Sequence, residues 1–286
     1  MSNKVTAVFD SGLREVLLNN PISIACHEGM VRRYYPFHRH DYYEISMTFR
    51  GQHSLRIGHE ILPYGNGDIC IIAPDTLHSV EPVFSGQNKP EEDLVWVMKV
   101  SPELVPSHIL KKRQATVVPM GENKDFLSRN LELLMNTLLQ EEIRWPFVQS
   151  LTTIILEVVR LQVLNTEKAP VATDASDDYL REILDYISEH YKENLTVESL
   201  TNRFHMSRST MMRMFQDNLG ITPINYRIDN QIQAACDLLN KTSSSVQDVS
   251  EELGFNNVYY FSSLFSKRMH TSPKRFRHQY PYEMIH

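Results

Sequence analysis

The chain is short of the features that mark secreted or membrane-spanning proteins. Its few cysteines share no ligand spacing, so we predict reduced thiols and a cytoplasmic location. It contains no run of eighteen apolar residues and no recognisable signal sequence, so we expect no membrane span and no secretion. The 286 residues, 42% of them apolar, suffice for two domains with separate cores. The cysteines are Cys26, Cys70 and Cys236.

The chain also lacks the positive net charge that is typical of nucleic-acid-binding proteins, because its formal net charge is −6. The basic residues are nevertheless concentrated, since the stretches 199–216 and 253–282 contain no acidic residue. Both stretches could contact a phosphate backbone, and the alternative is that they are solvated helix faces.

These two basic stretches belong to a sequence that is repeated about fifty residues apart. Each copy predicts a helix-turn-helix unit that ends at a Thr/Ser-Pro stop. One unit reads only a few base pairs, so two units on one body could read successive turns of the major groove. The repeated positions are Phe215, Thr222-Pro223 and Tyr226-Arg227, which recur as Phe265, Ser272-Pro273 and Phe276-Arg277.

The second helix of each predicted unit has an apolar inner side and an outer side that suits DNA. Arginine can bond guanine in the major groove, small or apolar side chains meet thymine methyl groups, and Ser, Asn and Lys suit phosphates. Thr196 and Ser207 are predicted N-caps, and Gly220 and Gly254 are predicted to end helices in the left-handed conformation. The outer residues are Arg208, Ser209, Met212 and Arg213 in the first unit, and Asn257, Val258, Tyr259, Ser262, Ser263 and Lys267 in the second.

A long, gapless motif occupies the second unit. It comprises Leu253-Gly254-Phe255, Tyr260-Phe261, Phe265, Ser272-Pro273 and Phe276-Arg277. On this motif, the region from Tyr179 to Tyr280 resembles the AraC/XylS family of bacterial transcription regulators.

The resemblance implies seven helices, with Ile224 to Leu239 as a rigid strut between the two units. It also implies a double-stranded DNA operator, RNA polymerase as a further partner, and no catalysis. Gln231, Ser266 and His270 depart from the family pattern, in which Arg, Lys and Gly are usual. The family pattern would place Ser209, Met212 and Arg213 against bases in one groove, and Val258, Tyr259, Ser262 and Ser263 in the next.

The preceding part of the chain has a different periodicity. From about 20 to 120, short alternating apolar runs predict an antiparallel sandwich or barrel. From about 124 to 165, helical spacing predicts a hairpin of two helices. The second helix is apolar on more than one face, so one face would cover the barrel and another could pair with a second subunit. A single buried helix is the alternative.

The sequence therefore predicts an α+β protein of two domains. Residues 1–165 would form a cupin-like β-barrel with a helical hairpin, which binds an effector and dimerises. Residues 166–177 would form a polar linker, and residues 178–286 an all-α domain with two helix-turn-helix motifs.

Two segments of the predicted barrel, 38–44 and 67–78, resemble the two motifs of cupin proteins. The resemblance makes His38, His40, Glu44 and His78 the ligands of a divalent metal ion, and such a set suits Zn, Mn, Fe or Ni. Alternatively, these side chains hydrogen-bond a sugar, a water molecule or one another. The residues that depart from the two motifs are Arg32, Ala73, Asp75 and Pro82, and the candidate effector-binding residues are His38, His40, Tyr42, Glu44, His78 and Trp96.

Three functions remain open from the sequence. The leading hypothesis is a homodimeric transcription regulator that responds to a small molecule, a carbohydrate by preference, and we take activation as the expected role. The second is a regulator that responds to a divalent metal ion. The third is a metal-dependent cupin enzyme fused to a DNA-binding domain.

Overall fold

The computed structural model of the chain has a sheet-rich N-terminal part and a helical C-terminal part, so the predicted two-part α+β fold class is confirmed. The described residues are 5–10, 13–18, 22–28, 35–58, 60–83, 93–105, 109–110, 114–140, 142–166, 178–269, 271–279 and 283–285. Apart from Thr166, the predicted linker lies outside the described residues, as do Arg32 and His270.

Twelve described strands form two antiparallel sheets. They are β1 Val5–Asp10, β2 Leu13–Leu18, β3 Ile22–Glu28, β4 Tyr35–His38, β5 Tyr43–Arg50, β6 Gln52–Ile57, β7 Glu60–Gly65, β8 Asp68–Ile72, β9 His78–Pro82, β10 Leu94–Val100, β11 Ala115–Pro119 and β12 Glu283–Ile285. The large sheet has the order β11-β8-β5-β10-β3-β2-β1-β12, and the small sheet has the order β4-β9-β6-β7.

The residues of strand β5 show that the large sheet is covered on both faces. Its alternate residues Ile45, Met47 and Phe49 are buried in the core under the two helices of the N-terminal part. The intervening Ser46 and Thr48 are also buried, and successive side chains of a strand point to opposite faces. A second apolar cluster joins the two sheets, and it contains Leu55, Ile57, Tyr64, Cys70, Ile72, Ala115 and Val117.

Two helices, α1 Lys124–Leu138 and α2 Trp145–Asn165, cover the outer face of the large sheet. Among the described helices, α2 alone is long and apolar enough to cross a membrane by length and composition, with a mean hydropathy of 1.5. Glu157 and Arg160 interrupt α2, so it contains no unbroken run of eighteen apolar residues. One face of α2 is built into the core beside α1 through Val148, Leu151, Ile155, Leu156, Val159 and Val163.

The helical part contains seven described α-helices, the number that the resemblance implies. They are α3 Asp178–Glu189, α4 Val197–Arg203, α5 Arg208–Leu219, α6 Pro223–Lys241, α7 Val246–Glu252, α8 Val258–Met269 and α9 Pro273–Gln279. They build two cores, one around α3 to α5 and one around α7 to α9, and α6 contributes to both. Each core includes side chains of the sheet domain, since Phe37 belongs to the first and Ala25 to the second.

Candidate DNA-binding surface and ligand cluster

The first helix-turn-helix unit consists of α4 and α5. The Thr196 side chain accepts a hydrogen bond from the Ser199 N–H, and Ser207 accepts one from the Thr210 N–H, so both helices begin at the predicted N-caps. Gly220 ends α5 with a φ of 68°, as predicted. With Leu200, Met211 and Phe215 buried, the candidate residues face outward: Arg208, Ser209 and Arg213 are exposed, and Met212 is half-buried.

The second unit, α7 and α8, repeats this construction. Ser245 and Asp248 form a capping box at the start of α7, and Gly254 occupies the turn with a φ of 81°. The Asn257 Oδ1 accepts from the Tyr259 and Tyr260 N–H groups, so this candidate DNA contact also caps α8. Tyr259 is 83% exposed. Asn257, Ser263 and Lys267 are exposed as well, and Val258 and Ser262 are half-buried.

The strut between the two units is α6, whose 19 residues span about 28 Å at 1.5 Å per residue. Buried Gln231, one of the departures from the family pattern, donates from Nε2 to the Leu253 carbonyl at 2.7 Å and so fixes the end of α7. Arg268 Nε donates to Asp229 Oδ1 at 2.6 Å. Arg277 donates to the Leu239 and Ser244 carbonyls. Two arginines of the second basic stretch therefore hold the domain together.

In the sheet domain, the structure brings together the four residues of the predicted metal site. Their ligand atoms all lie within 4.8 Å of one another. His38 on β4 faces His78 on β9 with ring centroids 4.3 Å apart, and His40 Nε2 lies 3.5 Å from Glu44 Oε2. The cluster joins the edge of the small sheet to β5 of the large sheet.

Two rings of this cluster are oriented by backbone carbonyl oxygens. The His40 Nδ1 lies 2.8 Å from the Tyr42 oxygen, and the His78 Nδ1 lies 2.9 Å from the Thr76 oxygen. Because a carbonyl oxygen only accepts, each Nδ1 carries a proton, so each Nε2 offers a lone pair when the imidazole is neutral. Both Nε2 atoms are buried without a hydrogen-bond partner among the described residues. Metal-binding histidines commonly have this arrangement, so the cluster fits a metal ion.

The ionisation of the cluster also suits a cation. Burial alone would raise the pKa of Glu44, but its interaction with His40 and the nearby His78 and His38 lower that pKa to about 2. Burial, reinforced by the charge of His38, lowers the pKa of His78 to about 4. At neutral pH the site therefore offers an anionic carboxylate and a neutral His78 imidazole, the forms that bind metal ions.

The other two candidate effector residues lie in different places. The Tyr42 ring stacks on His40, with centroids 4.0 Å apart, and so borders the cluster. Trp96 is 1% exposed and belongs to the core beneath α1 and α2. Trp96 is paired with Met47 on β5 and shares that face of the sheet, whereas Glu44 occupies the alternate, opposite face. The structure thus does not bring Trp96 to the cluster.

Sequence reasoning missed that the residues next to these histidines contact the helical domain. Phe37 is 3% exposed within the core of α3 to α5, and Arg39 forms an ion pair with Asp185 on α3. The available signal was the alternation of side chains along extended chain. Phe37 and Arg39 lie on the opposite side of the chain from His38 and His40, so they face another partner. Sequence reasoning also missed His53, which stacks on Tyr64 and has a buried Nε2 without a partner in the described part of the chain.

Comparisons with known proteins agree with this architecture. Residues 200–279 match the model of a family described as a helix-turn-helix domain, and residues 21–91 match the AraC-like ligand binding domain. An uncharacterised HTH-type transcriptional regulator of Bacillus subtilis, YdeC, is 26% identical over 94% of this chain and 97% of its own length. The HTH-type transcriptional activator RhaS of Klebsiella pneumoniae is 21% identical over 89% of this chain and 92% of its own.

Among solved structures, ToxT from Vibrio cholerae has the same fold, with a TM-score of 0.53 and 14% identity over 91% of this chain and 98% of that chain. The fold and the two capped units define a helix-turn-helix DNA-binding regulator with a ligand-binding domain. The chain belongs to the AraC family of transcriptional regulators.

Proposed function

We propose that this regulator binds an operator as a cytoplasmic homodimer and that a small molecule at the His/Glu cluster controls its binding. The observation that carries the DNA-binding surface is the pair of outward-facing helices, α5 and α8, on the single strut α6. Activation through RNA polymerase is the role that we propose on the family resemblance.

The DNA surface can be tested on an operator selected from random DNA with the full chain. We expect Arg213→Ala to weaken binding to the selected site roughly 5- to 150-fold, because a base contact contributes about 1–3 kcal/mol. Binding to random DNA should change much less. Arg129→Ala is the matched control, because Arg129 is exposed on α1 of the other domain. Equal losses on both DNAs would reduce Arg213 to a phosphate contact.

A carbohydrate is the effector that we propose for the cluster. The carboxylate of Glu44 and the imidazole nitrogens can bond hydroxyl groups, and the Tyr42 ring borders them. A panel of mono- and disaccharides should include one that raises the melting temperature of the full chain. The same sugar should leave the melting temperature of Glu44→Gln unchanged. A shift in melting temperature that survives this substitution would place the sugar elsewhere.

A divalent metal ion is the second candidate, favoured by the buried Nε2 atoms of His40 and His78, which have no hydrogen-bond partner within the described part of the chain. His38, His40, Glu44 and His78 would hold it. Elemental analysis of protein purified without chelator should find about one Zn, Mn, Fe or Ni ion per chain, and His78→Ala should lose it. Protein that is metal-free and takes up none of these ions would refute this candidate. We propose no enzymatic reaction, since the relatives named above are regulators.

We propose that the outer face of α2 pairs two copies of the chain. Phe147, Ile154 and Leu161 follow one another at intervals of seven residues, and each remains 44–49% exposed. Such spacing produces a straight apolar stripe, which suits the same stripe of a second copy. Ile154→Asp should shift the chain to monomers in sedimentation velocity, whereas Thr153→Asp, on the neighbouring exposed face, should not. A monomeric parent protein would contradict the proposal.

A further inference from the structure

The three histidines of the cluster alternate with residues that hold the helical domain. In the segment 37–40, His38 and His40 belong to the cluster. The intervening Phe37 is buried among side chains of α3 and α5, and Arg39 pairs with Asp185 of α3. A displacement of the segment 37–40 would therefore disturb both the cluster and the contacts with the helical domain.

The segment 75–78 has the same double role. His78 belongs to the cluster, while Leu77 packs against the core of α3 to α5. The Asp75 carboxylate lies 3.7 Å from Arg181 Nη2 of α3. The Asp75 N–H also donates to the His40 carbonyl at 2.8 Å, which ties this segment to the first one. We call 37–40 and 75–78 the docking segments.

We propose that a divalent transition-metal ion, bound by His38, His40, Glu44 and His78, fastens helices α3 to α5, the first half of the helical domain, to the sheet domain. The inference rests on the second candidate given above, a divalent metal ion at the cluster. It adds what the ion does: it controls how α3 to α5 are docked.

The geometry indicates that ion binding favours the docked arrangement of α3 to α5. Ligand atoms around a tetrahedral ion with bonds of about 2.0–2.2 Å are roughly 3.4 Å apart. In the docked arrangement the four ligand atoms already lie within 4.8 Å of one another, so no pair needs to approach by more than about 1.4 Å. Without Phe37, Arg39, Asp75 and Leu77 held by the helical domain, the docking segments would lose these restraints. The ion should therefore prefer the docked arrangement, and it shifts the equilibrium by that difference in affinity.

Docking has a consequence for DNA recognition because it leaves the reading residues accessible. Arg208, Ser209 and Arg213 are exposed while the half is docked. An ion that fixes this half also fixes the position of α5 relative to α2, the proposed dimer helix. The two first units of a dimer would then be held at one separation, which suits operators of one half-site spacing.

Reciprocity provides the test, since docking must strengthen ion binding as much as the ion strengthens docking. Titration calorimetry with Zn²⁺ on the metal-free full chain should show one site, which Glu44→Gln abolishes. Arg39→Ala and Asp185→Ala remove a docking contact without removing a ligand, and each should weaken Zn²⁺ binding about 5- to 10-fold. The matched control is Arg50→Ala, whose ion pair with Glu28 lies within the sheet domain at 3.5 Å.

Hydrogen exchange provides the second measurement. Zn²⁺ should slow amide exchange in α3 in the parent protein and have a much smaller effect in Arg39→Ala. Unchanged Zn²⁺ affinity in both docking variants, or no added protection of α3, would overturn the coupling. Absent Zn²⁺ binding, or binding that survives Glu44→Gln, would overturn it as well. Binding of metal-free protein to the selected operator is measured in parallel, so DNA recognition is judged separately from the ion.

Discussion

Replacing Gly254 with alanine should damage the second helix-turn-helix unit much more than Gly220→Ala damages the first. Both glycines have a positive φ, 81° and 68°, so alanine at either position adds about 1–2 kcal/mol of backbone strain. Their surroundings differ. A Cβ on Gly254 would lie 2.0 Å from the Lys192 carbonyl oxygen, which belongs to the rigid backbone after α3. A Cβ on Gly220 would meet only the flexible end of Arg56, at 3.1 Å.

The alanine at 254 must push two backbone segments apart by more than 1 Å, since ordinary contacts begin near 3.4 Å. We therefore expect Gly254→Ala to reduce the free energy of unfolding of the helical domain by about 3–4 kcal/mol, against about 1 kcal/mol for Gly220→Ala. Urea unfolding followed by circular dichroism measures the difference, and hydrogen exchange should locate it in α7 and α8. Equal destabilisation by the two substitutions would refute the steric argument.

Three further predictions concern stability. Burial lowers the pKa of His53 to about 4, so the unfolded chain binds a proton that the folded chain does not as the pH falls from 6.5 towards 4. The folded state should lose about 2 kcal/mol from this group between pH 7 and pH 5, and His53→Leu should reduce the slope in urea unfolding at several pH values. Ser245→Ala removes the capping box of α7 and should cost about 1 kcal/mol by the same assay, whereas Ser243→Ala should be neutral. Gln231→Met leaves the buried Leu253 carbonyl unpaired, so thermal unfolding should show a loss of about 1–3 kcal/mol, and an unchanged melting temperature would contradict the role of this bond.

The local elements were predictable because their determinants lie within a few residues of one another. Ser207 and Thr196 satisfy free N–H groups of the helices that follow them, and Gly254 adopts a conformation that side chains disfavour. The alternate spacing of His38 and His40 predicted that the two side chains lie together, as they do, since alternation is a local property of extended chain.

The remaining features depend on contacts between distant segments. Trp96 was grouped with the cluster by residue type, but strand register decides which face a side chain occupies, and register is set by pairing with β5 and β3. The residues next to Phe37 in the sequence do not identify its partner, because Phe37 is buried against helices that lie about 140 residues later in the chain. Local periodicity indicates that Phe37 faces away from His38 and His40, but it does not identify the partner.

The alternation in the segment 37–40 has a practical consequence for anyone who wishes to make this regulator respond to a new compound. Libraries that randomise the whole segment would mix altered chemical selectivity with misplaced domains, and most inactive clones would be uninformative. Mutagenesis that varies positions 38 and 40 but retains Phe37 and Arg39 should return a higher proportion of inducible proteins.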